Sequence, residues 1–120
     1  NKAKWYNKEK FSAWGGALTT ASNLVFYGTL DRWLKALDAN SGKELYKFQV
    51  GSGVIGNAFT YGHKGKQYVG VLSGIGGWAG VAMNLGLTTP TDALGAAGGY
   101  AELVKYNAAP GGGALTVLSL

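Results

Sequence analysis

An all-β chain assembled from propeller blades is the fold this sequence predicts, and three observations predict it. Glycine and aromatic residues are abundant and charges are scarce: 21 glycines and seven tyrosines stand in 120 residues, of which 14% are charged and 47% hydrophobic. Short runs rich in β-branched and aromatic residues alternate with turn residues along the chain. The pattern also repeats with a period near forty, the length of a blade of about four antiparallel strands.

Taken in order, the runs are GALTT (16–20), LVFYGTL (24–30), WLKALD (33–38), ELYKFQV (44–50), NAFTY (57–61), QYVGVLS (67–73) and the terminal ALTVLSL (114–120). Each is short enough for a blade strand and is bounded by turn formers. DANSG (38–42) supplies Asp, Asn, Ser and Gly in succession, the chemistry of a tight hairpin, and HKGK (63–66) does the same between NAFTY and QYVGVLS. SGIGGWAGVAMNLG (73–86) places four glycines around Trp78 and reads as a loop whose backbone passes close to another group. TTPTDALGAAGGYAELVKY (88–106) breaks the strand pattern with Pro90 and several glycines, and predicts a long loop carrying a short helix over YAELVKY.

The repeat is visible residue by residue. With Trp5 placed over Tyr46, NKAKW faces GKELY and AWGGALTT (13–20) faces VIGNAFTY (54–61), so that Lys2 meets Lys43, Gly15 meets Gly56, Ala17 meets Ala58 and Thr19 meets Thr60. A three-residue insertion follows, after which NLVFYGT (23–29) faces QYVGVLS (67–73). A closed ring takes about four to eight blades. This length supplies fewer than three, so residues 1–120 are expected to be part of one propeller domain and not an independent closed domain.

Composition narrows the function. Eleven basic against six acidic residues give a net charge of +5 and a pI near 9.5, but the lysines scatter through turn-like positions, and the aromatics do not interleave with them on one strand face as a nucleic-acid binder requires. With no cysteine and His63 as the single histidine, disulfides, thiolate metal sites, His-based triads and multi-histidine metal centres are excluded within this stretch. No unbroken run of about 18 apolar residues marks a membrane span, so an integral membrane protein is not expected.

GSGVIG (51–56) matches G-x-G-x-x-G, yet a dinucleotide fingerprint needs a helix opening on it and an acid about 20 residues later. A strand-like run follows instead, and the region of Ile75 holds no acid, so these are turn glycines between strands. Asp38 belongs to its turn, and Asp31 has neither a partner base nor a metal companion. Trp5 and Trp33 read as packing residues. Trp14 and Trp78 differ, because AWGG and GGWA leave backbone amides unshielded beside each ring, an arrangement that suits a flat or anionic ligand.

The same residues carry a family resemblance. ALDANSGKELY (36–46) resembles the tryptophan-docking motif Ala-x-Asp-x-x-Thr-Gly-x-x-x-Trp of the quinoprotein methanol dehydrogenase large subunits, with Ala36, Asp38 and Gly42 in agreement, Ser41 in place of Thr and Tyr46 in place of Trp. KFSAWGGALTT, VFYGTLDRWLKALD, GKQYVGVLSGIGGWAG and GGGALTVLSL resemble the C-terminal region of that family in the same order, so the likeness covers nearly the whole chain. It implies the C-terminal part of an eight-bladed propeller that binds pyrroloquinoline quinone (PQQ) and a Ca²⁺ or lanthanide ion near its axis. It further implies a periplasmic enzyme that oxidises methanol or another short primary alcohol to the aldehyde and passes electrons to a cytochrome c. The large subunits would pair as a homodimer, with or without a small accessory subunit. By the same resemblance Trp14, Gly77 and Trp78 contact PQQ, Trp78 and Leu94 line the substrate pocket, and the catalytic base and metal ligands lie in earlier blades. Two competing readings are a non-enzymatic propeller scaffold that binds protein partners and a related PQQ dehydrogenase for larger alcohols.

Overall fold

The computed structural model describes residues 2–85 and 112–120. Seven strands and one helix occur among them: β1 (Leu18–Thr19), β2 (Leu24–Gly28), β3 (Trp33–Asp38), β4 (Glu44–Gln49), β5 (Phe59–His63), β6 (Lys66–Gly74), α1 (Gly77–Asn84) and β7 (Gly113–Ser119). They form two antiparallel sheets, one of four strands in the order β1-β2-β3-β4 and one of three described strands in the order β5-β6-β7. Every strand of the first sheet pairs with its neighbour in sequence, as a propeller blade does.

Local chemistry accounts for the turns. The Asp38 carboxylate accepts hydrogen bonds from the backbone N–H groups of Asn40 (3.0 Å) and Ser41 (2.7 Å) and from the Ser41 hydroxyl (2.8 Å). The chain then reverses through Gly42 at φ +73°. The Ser41 hydroxyl, followed by the Ser41 N–H, holds the Asp38 carboxyl below the usual carboxylate range. Between β5 and β6 the reversal takes two residues, Lys64 at φ +48° and Gly65 at φ +76°, the left-handed pair that matches strand twist in a tight hairpin.

Strand position sets burial. β2 and β3 are interior and bury residues on both faces, whereas β4 and β5, at sheet edges, are exposed throughout. β4 carries Glu44 and Lys47 on that edge, where charge discourages pairing with other chains. Phe26, Leu34 and Ala36 of the first sheet pack on Val69 and Val71 of the second, with Val50, Val54 and Ala58 from the connecting segment completing the core. Gly28 lies so close to Val54 that any side chain there would collide with it.

The repeat survives in three dimensions. Leu18 and Thr19 open the first sheet as Phe59 and Thr60 open the second, 41 residues later, and β7 takes beside β6 the place that β3 holds beside β2. The three inserted residues lengthen the second hairpin, which adds the pairs Tyr61↔Tyr68, Gly62↔Gln67 and His63↔Lys66. Trp5 docks on the turn of the first sheet: its indole lies against Gly42, where a Cβ would strike the ring, and Nε1 donates to the Ala39 carbonyl at 2.9 Å.

One sequence expectation is corrected. The glycine-rich stretch around Trp78 is not a loop throughout: α1 begins at Gly77, and Trp78 sits in its first turn. Ala79 is completely buried in a satellite cluster with Leu30 and Ile75, against which Phe11 and Ile55 pack, while Gly80 lies close against Ile75. That tertiary burial offsets the low helix propensity of glycine, which a reading of local composition weighs alone. The expected loop and helix over 88–106, with Leu94, lie outside the described residues.

Candidate functional site

Antiparallel pairing brings the start of β1, the end of β2, the start of β5 and the end of β6 to the same end of the two sheets. The loops there interlock through backbone. Gly16 N–H donates to the Asn57 side-chain carbonyl at 2.5 Å, and Gly15 approaches the Gly56 carbonyl so closely that a Cβ would collide with it. Val54 N–H donates to the Thr29 carbonyl (2.9 Å), and Gly74 N–H donates to the Gly53 carbonyl (2.7 Å). Gly53 itself is buried where a Cβ would meet Ile75 and the Leu30 carbonyl. The segment 51–56, preceded by β4 and followed by β5, is therefore the hub on which the other loops rest, and it opens no helix.

Trp14 and Trp78 both belong to this end. Trp14 precedes the Gly15–Gly16 pair seated on residues 56 and 57, and Trp78 stands on α1, whose Ala79 is seated on Leu30 and Ile75. Their large apolar side chains are 43% and 77% exposed respectively. Added Cβ atoms at Gly56, Gly76 and Gly77 would meet nothing within 4 Å, and Gly77 adopts φ +53°. An exposed aromatic face beside open backbone, as at Trp78, can stack a flat ligand and donate amide hydrogen bonds to its acceptors. Beside Trp14 the expected unshielded amides are not found, because Gly15 is packed on the Gly56 carbonyl and the Gly16 N–H is taken by Asn57. No group of three or more His, Cys, Asp or Glu that could hold a metal occurs among the described residues.

Sequence reasoning missed a polar cluster on the opposite face of the first sheet. Glu9 accepts hydrogen bonds from Lys35 Nζ on both oxygens (2.9 Å each), from Asn7 Nδ2 (3.0 Å) and from the Tyr27 hydroxyl, while Asn7 Nδ2 also donates to Tyr27 (2.7 Å). The side chains of Lys35 and Glu9 are only 13% and 14% exposed, and Lys35 extends the pairing to Glu44 at 3.7 Å. Spacings of 18 and 26 residues give no sequence signal for such contacts. Burial pushes the Tyr27 phenol well above its ordinary value of 10.0, and the bond it donates to Glu9 adds to the rise. Because the folded phenol ionises at higher pH than the unfolded one, this stabilisation is complete below pH 10 and declines as pH rises beyond it. In an alkaline titration followed by phenolate absorbance, Tyr27→Phe is expected to remove a component that ionises above the ordinary phenol range; removal of one that ionises at the ordinary value would contradict the burial argument.

A four-stranded antiparallel sheet packed through its core on a second antiparallel sheet that repeats its strand arrangement is the architecture of adjacent β-propeller blades. The chain belongs to the family of PQQ glucose/ethanol/alcohol dehydrogenase β-propeller domains, whose sequence model matches residues 2–69. It is 62% identical over 119 residues, 99% of this chain, to a lanthanide-dependent methanol dehydrogenase of Methylorubrum extorquens, covering 20% of that protein. Over 117 residues, 98% of this chain, it is 49% identical to a methanol dehydrogenase [cytochrome c] subunit 1 of the same organism, covering 18% of that protein. Among solved structures, a europium-containing methanol dehydrogenase superposes with a TM-score of 0.76 at 43% identity, across 90% of this chain and 19% of that one. The chain thus spans about a fifth of the length of the relatives it matches.

Proposed function

We propose that this chain is the C-terminal portion of an eight-bladed PQQ-dependent alcohol dehydrogenase that oxidises methanol or another short primary alcohol to its aldehyde. The observation that carries the reading is the interlocked loop end, where Trp14 and Trp78 stand exposed and the Gly76–Gly77 pair beside Trp78 has open space around it. Bound PQQ supplies a flat two-electron quinone acceptor for the hydride of the alcohol. Trp14 and Trp78 wall and orient that quinone, the Gly76–Gly77 peptides lie bare enough to donate to its oxygens, and the indoles exclude water from the reacting face. Leu94 joins Trp78 in limiting the cavity to short alcohols. The greater identity to the lanthanide-dependent relative than to the [cytochrome c] subunit 1 of the same organism favours a lanthanide as the companion ion, held by residues outside this stretch. The enzyme is periplasmic and its electron acceptor is a cytochrome c, the latter supported by the likeness to a methanol dehydrogenase [cytochrome c] subunit 1. The large subunits form a homodimer, to which a small accessory subunit can attach.

The test is made on the full-length protein. As purified it is expected to show the near-ultraviolet absorbance of bound PQQ and one equivalent of metal. Gly77→Val places a β-branched residue at φ +53°, a conformation that costs such a residue about 1–2 kcal/mol. PQQ occupancy and turnover are therefore expected to fall while the far-ultraviolet circular dichroism is retained. A protein with only the absorbance of its own aromatic residues, or a valine variant with full occupancy and turnover, would sink the reading and favour the scaffold.

A further inference from the structure

Residues 7–17 have no regular secondary structure, yet they carry Trp14 and lead into β1 at the loop end proposed to receive PQQ. With no ladder of backbone hydrogen bonds, the placement of such a segment depends on scattered attachments to the sheets and loops around it. Three are visible. Glu9 is held by Tyr27 of β2 and Lys35 of β3, Phe11 packs on the Leu30–Ile75–Ala79 cluster beneath α1, and Gly16 is bonded to Asn57. Trp14 lies between the second and third attachments. Trp78 stands next to Ala79, the residue on which the Phe11 cluster supports the helix.

We infer that Glu9, seated by Tyr27 and Lys35, is a positioning residue for the quinone pocket: its carboxylate fixes the strand-free segment that aims Trp14 and supports the helix bearing Trp78. This rests on the reading that those two indoles line the PQQ site. The carboxylate is suited to the role because it accepts four hydrogen bonds, two of them from a lysine ammonium, at a site largely screened from solvent. Charge-assisted bonds of this kind are stronger and more directional than neutral ones. The geometry links rigid β-sheet to an irregular loop, so loss of the tether is felt where the loop is needed and not in the blade itself. Removing the hydrogen-bond partners that orient metal ligands typically costs about 10- to 100-fold in affinity or activity, and the lower end of that scale is expected for this tether.

The experiment measures the PQQ dissociation constant of the full-length apoprotein by quenching of tryptophan fluorescence, together with thermal stability, for Glu9→Gln, Tyr27→Phe, Trp14→Ala and the Glu9→Gln/Trp14→Ala double variant. Glu9→Gln is expected to weaken PQQ binding on the order of tenfold at temperatures where circular dichroism shows an intact fold. Tyr27→Phe, which removes a single hydroxyl, should weaken it in the same direction by less. The double variant should lose less than the product of the two single losses, because the tether acts in part through Trp14. If the melting temperature falls in both tether variants while the PQQ constant stays unchanged, or if the double-variant losses multiply fully, Glu9 serves blade stability alone and the inference is overturned. If Trp14→Ala itself binds PQQ as tightly as the unsubstituted protein, the pocket assignment fails, and this inference fails with it.

Discussion

Replacing Trp5 with alanine is expected to remove about 3 kcal/mol of stability from the full-length protein, within the usual range for deleting a packed indole. Two contacts are lost together. The ring leaves the surface of Gly42, and Nε1 no longer satisfies the Ala39 carbonyl, to which it donates at 2.9 Å. Trp5→Phe separates them, because it keeps much of the ring packing and removes the donor; its cost should be nearer 1 kcal/mol, the usual net value of one hydrogen bond. Gly42→Ala attacks the same contact from the other side, since a Cβ there meets the indole at a residue held at φ +73°. Urea denaturation measures all three. Equal losses for Trp5→Ala and Trp5→Phe would show that packing on Gly42 contributes little.

The second large effect is expected at Gly53. A methyl group at this buried position would run into the Leu30 carbonyl and the Ile75 side chain, and the Leu30 carbonyl, being backbone, has no rotamer by which to yield. Overpacking of this kind costs about 1–3 kcal/mol. Its functional cost should be larger, because Gly53 also accepts the Gly74 N–H at 2.7 Å, just ahead of α1 and Trp78. A shift of about 1 Å in a positioning element is enough to lower a rate by roughly a hundredfold. Gly53→Ala is therefore expected to retain a folded protein that holds PQQ poorly and turns over slowly. Gly62→Ala, which adds a Cβ in ordinary contact with Lys66 on the exposed hairpin, should leave both properties unchanged. Indistinguishable PQQ retention in the two variants would remove residue 53 from any role in placing the helix.

What could be read from the sequence follows the range over which each signal acts. The strands were readable because β-branched and aromatic runs and their turn residues operate within a few positions. The Asp38 turn and the Lys64–Gly65 reversal are local hydrogen-bond and backbone chemistry of the same kind. The equivalence of the two sheets followed from the repeat, which aligns Gly16 with Asn57 41 residues later; that these two residues touch is seen only in the structure. Helix α1 escaped because its reason for existing is remote: Phe11, Leu30, Ile55 and Ile75 come from separate segments to bury Ala79, and no window around Trp78 contains them. The Glu9 cluster escaped for the same reason, since Tyr27 and Lys35 reach it only after β2 and β3 have paired. Trp14 and Trp78 were singled out by their flanking glycines and by the family resemblance. Their shared end of the fold emerges only when the hub at 51–56 is seen to carry both.

The separation of β6 from β7 in the chain has a kinetic consequence. The first sheet closes through short connections between consecutive strands and can form soon after residue 49 is available, whereas β7 reaches β6 only after residues 75–112 have been traversed. Closing that span carries a far larger entropic toll than forming a two-residue hairpin, so the second sheet should be the slower to mature. During synthesis, the β6 edge that later receives Leu115 and Val117 stays unpaired until the segment 113–119 arrives. In that interval it is a sticky margin on which premature association of nascent chains would begin.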